Sequence, residues 1–165
     1  MSVLSDAQSG AWRSLMMASL VLDGALDRQS HRDGGMPHAH YQVLVVLYES
    51  PHRQLAMSAL AAELRFSLSR LTHAVTNMER SGCLERSRSM KDRRVQNVTL
   101  TAAGIRLVKK VSPIQAREVR ARAFSRLSDQ QVEQLATITA AIVSGFDDGP
   151  SDGPRGGPSD GPRAR

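Results

Sequence analysis

The chain reads as a mainly α-helical fold with one small β-hairpin, and three observations point there. Apolar residues recur at helical spacing over most of the chain up to Phe146. Within residues 55–82, two short helices are joined by only a few residues, and the second is polar and basic on one side, which is a helix-turn-helix pattern. Directly after Gly82, two strand-like stretches flank a basic tip and make a wing.

Each element carries its own signal. Ser5-Asp6-Ala7-Gln8 has the spacing of a capping box, and Trp12, Leu15, Met16, Ser19, Leu22 and Leu26 follow on one face, Trp12 being expected in the core. Gly34-Gly35 should end that helix near Asp33. Pro37 suits the first position of the next, whose nearly continuous apolar run (Tyr41 to Tyr48) suggests burial on most sides. After a turn at Ser50-Pro51-His52-Arg53, residues 55–64 read as a helix with Ser58 as N-cap. The next helix starts on serines, buries Leu68, Leu71, Val75 and Met78, and ends at Gly82. Residues 84–89 and 95–100 can pair as two strands. Thr101 should cap a helix interrupted or kinked at Pro113, and Ser128-Asp129-Gln130-Gln131 opens the last one. From Asp147 the composition turns to glycine, proline and small polar residues, with Gly-Pro-Ser-Asp-Gly-Pro-Arg occurring twice, so residues 147–165 are expected to be disordered.

Charge says which face matters. The formal net charge is +6. Residues 65–101 carry eight basic and three acidic groups and residues 102–127 seven and one, against four and six in residues 1–64. Such concentration suits a polyanion-binding surface, with solvated helix faces as the alternative. The single cysteine, Cys83, excludes an intrachain disulfide and fits a reducing compartment. No apolar run nears the roughly 20 residues that span a bilayer, and no secretory leader is evident. A cytoplasmic protein with no membrane partner is expected.

With these residues placed, the chain resembles the MarR family of winged-helix transcriptional regulators. The resemblance runs from about Ala11 to Phe146 and is most specific in Asp92-Arg93-Arg94-Val95-Gln96-Asn97-Val98-Thr99-Leu100-Thr101-Ala102-Ala103-Gly104. Support comes from Tyr41-Gln42-Val43-Leu44, Leu60-Ala61 and Gly82-Cys83-Leu84-Glu85-Arg86. It implies an interleaved homodimer, with residues 5–33 and 102–146 as dimerisation helices and residues 37–101 as a DNA-binding lobe. It also implies a pseudo-palindromic duplex DNA site and, in many members, release by a small molecule. The function expected is that of a sequence-specific regulator, a repressor released by a ligand. A winged-helix module for RNA or protein is the alternative.

The candidate site follows from the chemistry of each side chain. Arg70 can bond guanine O6 and N7 together, while Ser69, Thr72 and His73 can reach bases or backbone. His73 stands where the family more often has arginine, which would make binding pH-dependent. At the wing tip Arg93 or Arg94 would enter the minor groove, braced by Asp92. Ser58, Ser67, Arg80, Arg86, Arg88 and Lys91 are phosphate candidates, although capping explains Ser67 and Ser69 equally well. A small aromatic ligand could lie against Arg13, Tyr41 and Tyr48, with Trp12 nearby. Some relatives bind zinc near the first loop, so His31, His38 and His40 are subordinate metal candidates, below the reading of exposed loop histidines; no metal or other cofactor is expected. Cys83 falls at a normally aliphatic position and reads as buried and inert. Glycine-rich phosphate loops, zinc-hydrolase pairs, nucleophile elbows and paired-cysteine motifs are all missing from the sequence, which argues against an enzyme.

Overall fold

The computed structural model describes residues 3–146, so the tail expected to be disordered lies outside the described residues. The chain divides into two units after Ser125. The first opens with α1 (Asp6–Gly34). Ser5 Oγ accepts from the Gln8 amide at 3.2 Å and Gln8 Oε1 accepts from the Ser5 amide at 2.9 Å, the expected capping box. Gly35, at φ 70°, ends the helix in the left-handed region. In α2 (His38–Glu49), Pro37 is the N-cap rather than the first helical residue and offers no side-chain cap. Asp27 of α1 supplies one, accepting from the His38 amide at 2.8 Å. Tyr41, Val43, Leu44 and Leu47 of α2 are fully buried, as the continuous apolar run suggests.

The next segment departs from expectation. Residues Gln54–Ala56 form a strand, β1, and α3 (Met57–Leu64) begins after it with Ala56 as N-cap. Ser58 therefore lies inside the helix and caps nothing. β1 pairs antiparallel with β3 (Gln96–Leu100), which also pairs with β2 (Leu84–Arg88), so the hairpin is part of a three-stranded sheet of order β1-β3-β2. The register sets Leu55 opposite Val98 and Leu84 opposite Leu100. Val98 and Leu100 point into the core, while Val95 lies outside the strand and needs no place in its alternation.

In chain order α4 (Leu68–Arg80) follows α3 and precedes β2. After its C-cap Ser81, Gly82 takes φ 72° and donates to Glu79 O at 2.9 Å, while Cys83 donates to Met78 O at 2.9 Å. Thr101 caps α5 (Ala102–Val119), accepting from the Gly104 amide at 3.2 Å and donating to Gly82 O at 2.6 Å. A Cβ on Gly104 would sit 2.4 Å from Cys83 O, so only glycine fits where the helix meets the sheet. Of the kink or break expected at Pro113, the break does not occur: α5 continues through it to Val119. Pro113 is on the exposed face, where water can replace the lost donor. A single π-helical segment, Arg120–Phe124, follows instead.

Leu44, Leu47, Leu60, Leu71, Val75, Met78, Val98 and Val108 centre one core shared by α2, α3, α4, the sheet and α5. Outside it, α1 exposes Met16, Met17, Leu20, Val21 and also Trp12, which is 54 % exposed and not a core residue. The second unit contains α6 (Asp129–Ser144), opened by a Ser128–Gln131 capping box. No residue of α6 is buried, and Leu135, Ile138, Ile142 and Val143 are exposed along it. No described helix is long and apolar enough to cross a membrane.

Candidate nucleic-acid interface

The turn between α3 and α4 is built by backbone as much as by side chains. Arg65 adopts φ 50°, left-handed and costly for a residue with a Cβ, and ends α3. Phe66 then donates its amide to Ala61 O at 2.9 Å. Ser67 Oγ accepts from the Arg70 amide at 3.2 Å, so Ser67 is the N-cap of α4. From there α4 separates sharply into two faces: Leu71, Ala74, Val75 and Met78 are buried, and Ser69, Arg70, Thr72 and His73 are exposed on the other side. Leu68 was expected with the buried set but is 56 % exposed. It shares a face with Val75, seven residues on, but stands at the first residue of α4, beyond the end of the core.

The exposed side chains differ in how firmly they are held. The Arg70 guanidinium lies 4.0 Å from the centroid of the Phe66 ring, whose body packs against the core. Thr72 Oγ1 donates to Leu68 O at 2.7 Å, so its hydroxyl proton is already used and the exposed hydroxyl is left to accept. His73 Nδ1 lies 3.5 Å from Asn77 Nδ2. Ser58, the second residue of α3, is exposed.

In the wing, Ser89 donates its amide to Val95 O at 2.9 Å and closes the tip. Asp92 Oδ1 accepts from the Arg94 amide at 2.9 Å and stands 3.5 Å from Arg94 Nε. The carboxylate therefore orders the tip from within while Arg93 and Arg94 stay exposed. Arg80, Arg88 and Lys91 are exposed as well. Arg86 is different. Glu79 accepts from both its amide, at 3.0 Å, and its Nε, at 2.7 Å, and the guanidinium also reaches Thr76 Oγ1 at 3.3 Å. Arg86 thus ties the end of α4 to β2, and its bidentate bond to Glu79 occupies donors that a phosphate would need.

The remaining candidates do not converge. His31 faces Asp27 at 3.7 Å, His38 Nδ1 is 3.1 Å from Gln115 Nε2 of α5, and His40 faces α4. Among the described residues, no three His, Cys, Asp or Glu side chains could hold a metal ion together. Burial pushes the His38 imidazole below its usual range, outweighing the raising effect of Asp23 and Asp27. A cavity of about 420 Å³ lies beside it, lined by Leu26, His38, Tyr41, Gln42, Val46 and Gln115 among others. Tyr41 is buried there with its hydroxyl 2.8 Å from Ser112 Oγ. Arg13 and Tyr48 do not line it: Arg13 is exposed on α1, and Tyr48 packs on the core under Arg53. Cys83 is buried.

Sequence reasoning missed Phe66, Glu79 and the position of His40. Phe66 and Arg70 do have the four-residue spacing of a helical pair, but a cap intervenes. Glu79 and Arg86 are joined only by the fold.

Residues 34–95 match the sequence model of the MarR family. The chain is 30 % identical over 107 residues to a transcriptional regulator of the helix-turn-helix type, YkoM of Bacillus subtilis, covering 65 % of this chain and 68 % of that protein. Its fold matches the crystal structure of Sco3205, a MarR family transcriptional regulator from Streptomyces coelicolor in complex with DNA, with a TM-score of 0.88 and 36 % identity over 92 % of this chain and 95 % of the other. AbsC of the same organism, also a MarR family regulator, gives 0.86 and 28 %, over 90 % and 100 %. The chain belongs to the MarR family.

Proposed function

We propose that the protein is a transcriptional regulator without enzymatic activity, that it binds duplex DNA in a sequence-specific way, and that it does so as a homodimer in the cytoplasm. The observation that carries this reading is the two-faced α4. Its inner face is fixed in the core while Ser69, Arg70, Thr72 and His73 stand outward beside a wing whose tip bears Arg93 and Arg94. One helix can enter a major groove by its first turns while the wing reaches the flanking minor groove. Arg80, Arg88, Lys91 and Ser58 would contact phosphates, and the Glu79-bound Arg86 would contribute by holding β2 in place. Ser67 serves chiefly as the cap that orients the first turn. That Sco3205, 36 % identical to this chain, was crystallised in complex with DNA supports DNA as the partner.

Selection of bound fragments from random duplex DNA tests this. Two half-sites about 10 base pairs apart, centre to centre, are expected from a dimer that presents two recognition helices on one side of the duplex. A lone asymmetric site, or preference for duplex RNA at the same salt concentration, would remove the reading.

A further inference from the structure

A second cavity, of about 460 Å³, lies between the start of α2 and the start of α4. His40 lines it from α2, and Ser69, Arg70 and His73 line it from α4. Pro37 and Phe66 supply apolar wall. The side chains bordering it include no carboxylate. The charged or titratable groups that act on His40 are likewise all basic: His73 and Arg70 on α4, and His31 on α1. The nearby acids of α1 are engaged elsewhere, Asp27 with the His38 amide and Asp33 with Gln29 and Arg32.

Such a pocket is built for an anion. Three nitrogen-bearing side chains and a hydroxyl converge on it with nothing negative to balance them, and three of those four, Ser69, Arg70 and His73, belong to the surface proposed to read DNA. We infer that His40 extends that surface from α2: it receives a phosphodiester oxygen in a socket that Arg70 and His73 border, and it takes up a proton as that oxygen enters. This rests on the proposed DNA binding. Burial, and then the charges of His73 and Arg70, hold the His40 imidazole below its usual range in the free protein. A phosphate in the socket supplies the missing negative charge and favours the imidazolium, which then donates from both ring nitrogens. The proton comes from solvent, so DNA affinity must fall as pH rises through the interval between the free and bound values.

The test uses the full chain and a duplex recovered by selection, at fixed ionic strength from pH 5.5 to 8.5. The wild type should lose affinity with rising pH, approaching about tenfold per pH unit for one whole proton. Calorimetry in buffers of different ionisation enthalpy should show uptake of protons on binding. His40→Gln should lose most of the slope and the uptake, binding more weakly than the wild type at pH 5.5, and His40→Asn should repeat the result if the first variant folds poorly. His52→Gln, outside the cavity, should change neither. A wild-type slope that persists in both His40 variants, or no slope in the wild type, would overturn the socket while leaving DNA binding intact. Failure to bind any duplex would instead remove the proposed function and this inference with it.

Discussion

Arg70, Arg94 and Arg86 carry the same guanidinium in three settings, and the settings divide their work. Arg70 rests on the Phe66 ring at the first turn of α4, a pose that limits its wandering before any contact is made. Arg94 hangs from a tip braced by Asp92, and Arg86 is bound to Glu79. Arg70→Ala should therefore relax preference at one base position, by about 1–3 kcal/mol. Arg94→Ala should weaken binding to most sequences alike. Titrations against a set of single-base variants of the selected site separate the two patterns, and normal binding by both mutants would refute the proposed orientation on DNA. Only the types of these residues could be read from the chain. Which arginine was already taken required the fold, since Glu79 and Arg86 belong to different elements.

Among the elements, α2 depends most on its neighbours. It lacks a cap of its own and begins on the Asp27 carboxylate of α1. Its first residue, His38, meets Gln115 of α5, and Tyr41 meets Ser112. Burial lowers the His38 value in the folded state, so the unfolded chain binds the extra proton more readily. The stability linked to His38 is then fully present above the ordinary histidine range and is lost as pH falls through that range toward the lowered value. Urea unfolding should give a lower midpoint at pH 5.5 than at pH 7.5, and His38→Gln should shrink the difference. An undiminished difference in the variant would show that His38 is not the group responsible. β1 teaches the converse. Leu55 fits a helical period as well as a strand, and three residues become a strand only because β3 lies alongside.

For the whole molecule, the unanswered apolar surface is the leading fact. Leu20 is 70 % exposed on α1 and Ile138 is 57 % exposed on α6. Each belongs to a row of exposed apolar residues that water does not stabilise, and burying one such side chain is worth about 1.5–3 kcal/mol. A second copy of the chain is the proposed cover, as the family resemblance implies. Sedimentation should find a dimer at micromolar concentration, with Leu20→Asp and Ile138→Asp shifting it towards monomer and abolishing recognition of paired half-sites. Dimers that survive both substitutions would place the interface elsewhere.

The sequence alone determined the helices, the wing, the two-faced α4 and the basic surface, because periodicity, capping boxes and charge are local and survive without knowledge of the fold. Thr101 was legible in the same way, as a cap, and Gly104 through the family resemblance. Tertiary structure decided what depends on contacts between distant residues: β1 beside β3, Leu68 outside the core, Arg86 bound to Glu79, and Pro113 inside a continuous helix. It also moved His40 from a loop-side metal candidate to the wall of a cavity against α4. No spacing within one segment encodes that meeting, since it depends on how α2 packs across the start of another helix.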